Sequence, residues 1–215
     1  MTAAVLFDLD GTLADTAPDL GGALNRLLVE EGRAPIALDL SRPHTSSGAR
    51  GMIGVGFAIT PTDSRYERLK DRFLALYEQH LCVESRLFDG VSELLDALES
   101  RRLPWGIVTN KASRFTIPLV AQLRLATRAA CVVSGDTAAR AKPHPDPLLH
   151  AARAIDIAPA HCVYVGDDLR DIQAASAAGM RSIAVRFGYL GVGAPPDKWG
   201  ADAIVSQPAE ILKHL

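Results

Sequence analysis

The chain has 215 residues, of which 48% are apolar and 22% charged, a composition typical of a globular protein with one main core and room for an insertion. The formal net charge of −2 and the pI near 6.3 give no reason to expect a polyanion or a membrane surface as partner. Nucleic acid is therefore excluded as the expected main ligand.

The first predicted strand covers residues 3–7, and two acids follow it directly. The stretch reads VLFDLDGTL over residues 5–13, with Asp8 ending the apolar run, Asp10 two residues later and Gly11 at a turn. Two carboxylates this close repel each other and add nothing to a core, so they indicate a site that holds a cation. The plainer interpretation is an ordinary Asp-Gly turn.

Helical patterns without a convincing strand follow over residues 16–83. Thr16 is the predicted N-cap of the first helix, and Thr62 or Asp63 is that of a later one. A block of this length is too long for a crossover between strands, so we expect an inserted helical cap domain. Because the insertion leaves from the end of the first strand, it should cover the site there.

The remaining chain alternates apolar runs with helical spacing. A helix of small residues is expected to end at Gly179. The runs lack the alternation of a strand with one wet face, so they predict a doubly wound parallel sheet, a Rossmann-like α/β core with a helical cap. The core would comprise 1–15 and 84–215, the cap 16–83, with hinges near 13–15 and 85–88. The apolar runs are residues 104–109, 131–134, 162–166, 182–186 and 203–205.

Polar groups stand where several of these strands end. The carboxyl ends of parallel strands meet at one edge of a sheet, so these groups should converge. Carboxylates in one pocket raise one another's pKa unless a cation neutralises them, and hard oxygen ligands suit Mg²⁺ and phosphate. The pattern predicts a magnesium site for phosphoryl transfer. The groups are Asp8, Asp10, Thr109, Asn110, Lys142, Asp167, Asp168 and Asp171.

Four motifs in this order resemble those of the haloacid dehalogenase-type hydrolase superfamily. They are DLDGT (8–12), Thr109, Lys142 and GDDLRD (166–171), and the helical insertion resembles the first class of cap in that superfamily. The resemblance covers essentially the whole chain. It is closest to the phosphoglycolate phosphatase-like members, which include the N-acetylmuramic acid 6-phosphate phosphatases. It implies a phosphoric monoester hydrolase that uses Mg²⁺ and acts on a small phosphorylated metabolite.

The resemblance also implies a role for each matched residue. Asp8 would be the nucleophile that forms an aspartyl phosphate, and Asp10 would protonate the leaving oxygen and then activate water. Thr109 and the backbone N–H of Asn110 would hold phosphoryl oxygens. Lys142 would offset the charge of the nucleophile and the phosphoryl group.

The same resemblance implies the metal ligands. Mg²⁺ would be held by the Asp8 carboxylate, the backbone carbonyl of Asp10 and the Asp167 carboxylate. Asp168 and Asp171 would orient waters or fix the lysine, since a compact octahedral ion has no room for every acid. The plainer interpretation of these last two is charge favoured at a helix N-terminus.

Substrate choice is expected to lie in the cap, at TSSGARGMI (45–53). The small residues Ser47, Gly48 and Ala49 permit close approach in a tight loop, and Arg50 offers a bidentate donor for a carboxylate. Both 2-phosphoglycolate and N-acetylmuramic acid 6-phosphate carry one, and SSGAR with KWGAD resembles the muramic acid phosphatases more. A surface arginine at a helix start is the alternative for Arg50.

Other activities remain open at this stage. Asp10 favours an oxygen leaving group over dehalogenation, which leaves phosphatase or sugar-phosphate mutase. A receiver-type signalling domain also uses acids, a threonine, a lysine and Mg²⁺, but it lacks a helical insertion after the first strand. A silent binding protein is disfavoured by the intact motifs.

Location and assembly are also expectations at this stage. No basic N-terminal region and no apolar run of about 18 residues is present, so we expect neither a signal peptide nor a membrane partner. The cysteines Cys82, Cys131 and Cys162 show no zinc spacing and are expected to be buried, reduced thiols in the cytoplasm. We expect a monomer or a weak homodimer.

Overall fold

A six-stranded parallel sheet organises the fold, and the computed structural model describes residues 2–215. All six apolar runs of the sequence become strands of this sheet, which confirms the predicted doubly wound α/β core. The strands of the chain are β1 (Ala4–Phe7), β2 (Ala14–Asp15), β3 (Arg86–Leu87), β4 (Trp105–Val108), β5 (Val132–Val133), β6 (Cys162–Gly166), β7 (Arg181–Val185) and β8 (Ala203–Val205).

The strand order places β1 in the middle of the sheet. The order is β5-β4-β1-β6-β7-β8, so the chain first adds strands on one side of β1 and later on the other. The register pairs Phe7 with Ile107 of β4 and with Val165 of β6. The carboxyl end of β1 is therefore the switch point of the sheet, where ligands bind in open α/β folds.

Helices cover both faces of the sheet, which explains why its strands are continuously apolar. Every residue of β1 and β4 is buried. One apolar layer includes Phe7 and Trp105, whose rings meet edge to face at 6.4 Å, and the other includes Leu6 and Tyr164. The helices are α1 (Ala17–Glu30), α2 (Leu38–Ser41), α3 (Gly48–Phe57), α4 (Tyr66–Gln79), α5 (Val91–Ser100), α6 (Ser113–Gln122), α7 (Asp146–Ala154) and α8 (Leu169–Ala177).

Helices α1 to α4 fill the segment predicted as the cap. Their buried faces form a separate apolar cluster with Leu24, Met52 and Phe73, to which Phe115 of α6 adds one ring from the core. This cluster is what an inserted helical domain requires, because each amphipathic helix must bury its apolar stripe. The boundaries at residues 16 and 83 stay a prediction.

The starts of α1 and α4 test the predicted N-caps, of which the first is in place and the second is wrong. Thr16 precedes α1 as predicted, but its hydroxyl makes no capping bond and donates to Asp10 instead. Helix α4 begins only at Tyr66, so the predicted cap at Thr62 or Asp63 is wrong. Asp63 accepts the backbone N–H of Arg65 at 2.9 Å and thereby shapes the turn before the helix.

The predicted tight loop at residues 45–53 is helical. A 3-10 helix (Arg42–Ser47) runs into α3. Glycine is required at position 51 by packing within this helix, since a Cβ there would lie 2.2 Å from the backbone oxygen of His44. Gly51, one of the glycines that suggested a loop, therefore allows a close contact between the 3-10 helix and α3.

A small antiparallel pair joins the two chain crossings between the core and the helical segment. Ala14 of β2 pairs with Leu87 of β3, and Asp15 pairs with Arg86. The carboxylate of Asp19 accepts the backbone N–H groups of Glu84 and Ser85, which holds the crossings together. This pair falls where hinges were expected, although it was not predicted as a sheet.

Two sequence expectations concern burial and membranes. All three cysteines are free, with Cys162 buried and Cys82 and Cys131 only half-buried, so burial was predicted correctly for one of them. Within residues 2–215, no helix combines the length and apolar character needed to cross a bilayer.

Candidate active site

The end of β1 turns so that Asp8 and Asp10 both face the same edge of the sheet. The backbone N–H of Asp8 bonds to the Val165 carbonyl at 2.9 Å, which fixes it beside the end of β6. Gly11 has φ of +88°, and a Cβ there would lie 2.2 Å from Asp167 Oδ2. The turn therefore needs glycine both for its conformation and for the carboxylate packed against it.

Asp167, at the end of β6, is fully buried and held by three donors. Its carboxylate accepts the backbone N–H of Tyr189 at 2.8 Å, the Thr12 hydroxyl at 3.1 Å and the Ser46 hydroxyl at 3.3 Å. Ser46 belongs to the helical segment, and the other two belong to the core. The contact from Ser46 therefore joins the two parts of the molecule directly at the acid cluster.

Three carboxylates meet at this sheet edge. Asp8, Asp167 and Asp171 each offer a carboxylate oxygen, and these oxygens lie within 4.8 Å of one another. Asp8 Oδ1 is buried, and the ammonium of Lys142 lies 2.9 Å from it. Three carboxylate oxygens this close together form the hard, all-oxygen set of ligands that a divalent cation such as Mg²⁺ prefers.

The electrostatics of the cluster indicate the same need for positive charge. Burial raises the pKa of Asp8 to about 7, even though Lys142 lowers it. Burial also raises the pKa of Asp167 well above its usual range, and the charges of Asp8 and Asp171 add to the increase. A divalent cation bound here would favour the ionised forms and reverse these shifts.

Lys142 lies at the centre of the cluster and is almost completely buried. Its ammonium contacts Asp171 Oδ1 at 2.7 Å and the Tyr164 hydroxyl at 2.8 Å, besides Asp8. The loop that carries it is fixed by Asn110, whose side chain bonds to both the backbone N–H and the carbonyl of Lys142 at 2.9 Å. Asn110 thus supports the lysine with its side chain, a contact that the sequence pattern did not indicate.

Asp10 lies beside the cluster and is held by two donors. The Thr16 hydroxyl donates to Asp10 Oδ1 at 2.6 Å, and the Lys111 ammonium lies 2.9 Å from the same oxygen. Burial alone would lower the pKa of Lys111, but Asp10 and Tyr77 raise it above its usual range. The sequence analysis missed Lys111. Its position directly after Thr109-Asn110, at the end of a predicted strand, could have indicated a cation at the site.

Asp168 and Asp171, the two acids predicted to orient waters or fix the lysine, have different partners. Asp171 Oδ1 binds Lys142, so of the two it is the one that fixes the lysine. Asp168 accepts the backbone N–H of Arg170 at 2.9 Å and pairs with its guanidinium, which makes it the N-cap of α8. Asp171 Oδ2 accepts the backbone N–H of Asp168 and completes a capping box, so both acids also stabilise the helix start.

The comparison with known families decides what this arrangement belongs to. Residues 5–185 match the model of a family described as haloacid dehalogenase-like hydrolase. The chain belongs to the haloacid dehalogenase-like hydrolase family. This match confirms the predicted family, and relatives named as phosphatases confirm the predicted enzyme class, a phosphoric monoester hydrolase.

Relatives within this family match nearly the whole chain. The N-acetylmuramic acid 6-phosphate phosphatase of Pseudomonas putida is 43% identical over 212 residues, which cover 99% of this chain and 95% of that protein. The phosphoglycolate phosphatase of Xanthomonas campestris is 47% identical over 208 residues, which cover 97% and 94%. A crystal structure described as a predicted phosphoglycolate phosphatase from Haemophilus somnus has a TM-score of 0.87 at 27% identity, covering 99% of this chain and 97% of that one.

In this family member a cavity of about 270 Å³ opens above the acid cluster. Sheet-edge residues, including Asp8, Asp10, Thr109 and Lys142, line one end, and the helical segment lines the other. A volume near 300 Å³ is at the lower end for small-molecule sites. The site is therefore shaped for a ligand that reaches from the sheet edge into the helices.

The cavity includes most of the predicted substrate-binding residues but not Arg50. Ser47, Gly48 and Ala49 line it from the cap side. Arg50 lies on α3, is exposed and does not line the cavity, so the geometry does not support its predicted role in carboxylate binding. The helical conformation explains the difference, because it turns successive residues to different sides where a loop was expected.

Proposed function

We propose that this protein is a Mg²⁺-dependent phosphatase that hydrolyses a small acidic phosphomonoester through an aspartyl phosphate on Asp8. The best substrate candidates are 2-phosphoglycolate and N-acetylmuramic acid 6-phosphate. The observation that carries the proposal is the buried cluster of Asp8, Asp167 and Asp171 around Lys142, at the sheet switch point and open to a cavity. An acid cluster with one cation beside a cavity suits the dianionic phosphoryl group of a phosphomonoester together with its metal.

Asp8, the backbone carbonyl of Asp10 and Asp167 would hold Mg²⁺. When bound, the ion would neutralise negative charge on the carboxylates and on the phosphoryl oxygens. Asp167 is suited to this role because Thr12, Ser46 and Tyr189 already fix its orientation. Asp171 would remain with Lys142, which its carboxylate contacts at 2.7 Å.

The reaction would proceed in two displacements at phosphorus. A carboxylate oxygen of Asp8 attacks the phosphorus as the bond to the leaving oxygen breaks, and Asp10 gives that oxygen a proton. Asp10 then takes a proton from the water that attacks the aspartyl phosphate, which releases phosphate and restores Asp8. Both described contacts of Asp10 use Oδ1, so Oδ2 remains for proton transfer.

Lys142 and Thr109 would stabilise the transferring group. Lys142 already faces Asp8 and brings the positive charge nearest to it. Thr109 is buried at the end of β4 and lines the cavity, and its hydroxyl oxygen accepts the backbone N–H of Lys111 at 3.1 Å, which leaves its proton for a phosphoryl oxygen. Both groups are fixed before substrate arrives, which is the condition for electrostatic stabilisation of a transition state.

The relatives support the choice of substrate candidates. One is named for N-acetylmuramic acid 6-phosphate and another for phosphoglycolate, and both of these compounds are carboxylic acids as well as phosphate esters. A sugar-phosphate mutase uses the same first displacement and stays as the second candidate. The family match and the helical segment disfavour the receiver-type alternative.

The deciding experiment is a phosphate-release screen over phosphorylated metabolites, including both candidates, with Mg²⁺ and with EDTA. We expect Mg²⁺-dependent release from an acidic phosphomonoester and none from Asp8→Asn. Turnover that requires a bisphosphate activator and gives no net phosphate would replace the phosphatase by the mutase. Full activity of Asp8→Asn would overturn the nucleophile assignment.

The expected partners follow from this proposal. A small phosphorylated metabolite is the ligand, and neither nucleic acid nor membrane is needed as partner. A cytoplasmic location and a monomer or weak homodimer remain predictions. Sedimentation at micromolar concentration tests the second of these directly.

A further inference from the structure

The cations that line the cavity differ in one respect, namely whether an acid neutralises them. Lys111 pairs with Asp10, and Arg170 pairs with Asp168. Lys142 has two acids. Within the described residues, Arg114 also lines the cavity but has no carboxylate within ion-pair distance and no side-chain hydrogen bond. Its charge is therefore available to an anionic group of a ligand, such as a carboxylate.

Arg114 is held in place although it is exposed. Its guanidinium lies 4.4 Å from the centroid of the Phe115 ring. The preceding residue, Ser113, anchors the start of α6 by two hydrogen bonds to Asp136, from its backbone N–H at 2.9 Å and its hydroxyl at 2.8 Å. A stacked guanidinium loses less freedom on binding a carboxylate than an unsupported one would.

Two buried hydroxyls belong to residues on the cap side of the cavity. Thr45 Oγ1 has no hydrogen bond within the described chain, and the Tyr77 hydroxyl interacts only with the Lys111 ammonium, without the geometry of a normal hydrogen bond. Burial raises the pKa of Tyr77 to about 12, so its phenol is a neutral donor at neutral pH. Polar groups left unpaired in this way cost free energy, which a ligand with matching groups would recover.

The wall between these polar groups is apolar. Leu20, Phe73, Leu74 and Phe115 line the cavity together with the Tyr77 ring. A two-carbon acid such as glycolate has one carboxylate and almost no carbon surface, so it cannot meet the wall, Arg114 and both hydroxyls together. A carboxylated sugar phosphate has a ring, several polar groups and a carboxylate distant from the phosphate ester.

We propose that Arg114, Tyr77 and Thr45 form the subsite for the leaving group, and that this leaving group is a carboxylated sugar. Arg114 binds the carboxylate through its planar fork, and the two hydroxyls bind polar groups of the sugar. The proposal rests on the proposed phosphatase function and deepens it. It assigns carboxylate recognition to α6 of the core and selects the larger of the two substrate candidates.

The experiment compares matched substrates on matched variants. N-acetylmuramic acid 6-phosphate and N-acetylglucosamine 6-phosphate differ in the carboxylate-bearing ether, and 2-phosphoglycolate supplies the small acid. We expect the wild type to favour the first over the second in kcat/KM. Arg114→Ala should lower this preference by about 10- to 100-fold, mainly through KM, because a charged hydrogen bond is lost. Arg114→Lys should keep part of this preference, because the positive charge remains but the two parallel donors of the guanidinium are lost.

Arg50→Ala is the matched control, since Arg50 is exposed and outside the cavity. It should leave the preference at the wild-type value. Tyr77→Phe should lower kcat/KM for both sugar phosphates about equally. This result would distinguish the contact of the hydroxyl from that of the carboxylate. A preference unchanged by Arg114→Ala, or higher kcat/KM for 2-phosphoglycolate than for either sugar phosphate, would overturn the proposal.

A binding measurement separates this proposal from the proposed function. Calorimetry with Asp8→Asn and with Asp8→Asn/Arg114→Ala measures affinity for the two sugar phosphates without turnover. If the wild type releases phosphate from none of the substrates, the proposed function fails, and the calorimetry still tests the subsite. Tighter binding of the carboxylated sugar phosphate that depends on Arg114 supports it, and equal binding of the two sugars refutes it.

Discussion

Removal of the buried carboxyl by Asp8→Asn should flatten the pH dependence of the free energy of unfolding. Burial raises the pKa of Asp8 from 3.8 to about 7 in the folded chain, against the lowering effect of Lys142. Unfolding returns this carboxyl to its ordinary pKa, so between the two values the folded state binds more protons than the unfolded state. The stability contributed by this proton is complete below about pH 4 and is lost as the pH rises to about 7.

The size of the effect follows from the difference between the two pKa values. One unit is worth about 1.4 kcal/mol, so about three units correspond to about 4 kcal/mol over the whole range. Linkage assigns about 2 kcal/mol of this to the interval from pH 5 to pH 7. Burial and repulsion from Asp8 also raise the pKa of Asp167, so the wild-type slope should exceed the share of Asp8 alone. Asp8→Asn should remove the contribution of Asp8 to this slope and reduce that of Asp167.

Urea unfolding at pH 5, 6, 7 and 8 in EDTA measures this slope. The wild type should lose stability across the series, and Asp8→Asn should show a markedly flatter curve. Asp39→Asn, which changes an exposed acid on α2, is the control and should follow the wild type. Parallel curves for wild type and Asp8→Asn would refute the reasoning.

The same series with added Mg²⁺ tests the metal site. The ion binds the ionised carboxylates, so it should stabilise the wild type most at pH 8 and progressively less toward pH 5. Stabilisation of equal size at pH 5 and pH 8 would contradict a site built from Asp8 and Asp167.

Three further substitutions test the supporting contacts. Asp171→Asn removes one of the two acids on buried Lys142 and should lower the free energy of unfolding by about 3 kcal/mol in urea denaturation, whereas a loss below 1 kcal/mol would contradict a structural ion pair. Tyr189→Phe leaves the backbone N–H of Thr16 without its acceptor, while that of Ala17 keeps a longer bond to Asp15 Oδ1 at 3.3 Å, so it should cost about 1–3 kcal/mol and speed amide exchange at Thr16; unchanged exchange would count against the contact. Gly11→Ala puts a Cβ 2.2 Å from Asp167 Oδ2 and should weaken Mg²⁺ binding in calorimetry, while wild-type affinity would show that the turn adapts.

The sheet and its polar edge were predictable because the underlying rules are local. Strands covered on both faces must be apolar throughout, so runs such as residues 162–166 were recognisable without knowledge of their neighbours. The groups after those strands must then meet at one edge of the sheet. Asp8, Lys142 and Asp167 were therefore predicted to lie close together there. The structure brings the same three together, with the Lys142 ammonium 2.9 Å from Asp8 and carboxylate oxygens of Asp8 and Asp167 within 4.8 Å of each other.

The cap side of the cavity was not predictable in the same way. Glycines at positions 48 and 51 suggested a loop, whereas Gly51 is needed where a helix packs on the His44 carbonyl. Which residues of a short helix face a cavity depends on how the helix packs, and no periodicity in a stretch of small residues reveals it. The sequence therefore predicted Arg50 as the carboxylate donor, and it gave no signal for Arg114.

Contacts between distant segments were also invisible in the sequence. The hydroxyl of Tyr189 accepts the backbone N–H groups of Thr16 and Ala17 and donates to Asp15 at 3.0 Å, across more than 170 residues of chain. The Gly- and Pro-rich stretch around it leads to the last strand, and Trp199 is buried there with its indole N–H donating to the Ala194 carbonyl at 2.7 Å. Nothing in its composition indicated that the loop also fixes the start of the helical segment.

Ser46 connects the two halves of the site more directly than any other residue described above. Its hydroxyl donates to Asp167 at 3.3 Å, and its carbonyl accepts the Arg170 guanidinium at 2.7 Å, so one cap residue contacts both the acid cluster and the helix that follows β6. A cation that draws Asp167 toward itself competes with this long hydrogen bond, whereas the bond to Arg170 does not involve the acids of the cluster. We therefore expect metal binding to be coupled to cap position through Ser46 and, because Thr45 of the proposed leaving-group subsite is its neighbour in the chain, to that subsite as well.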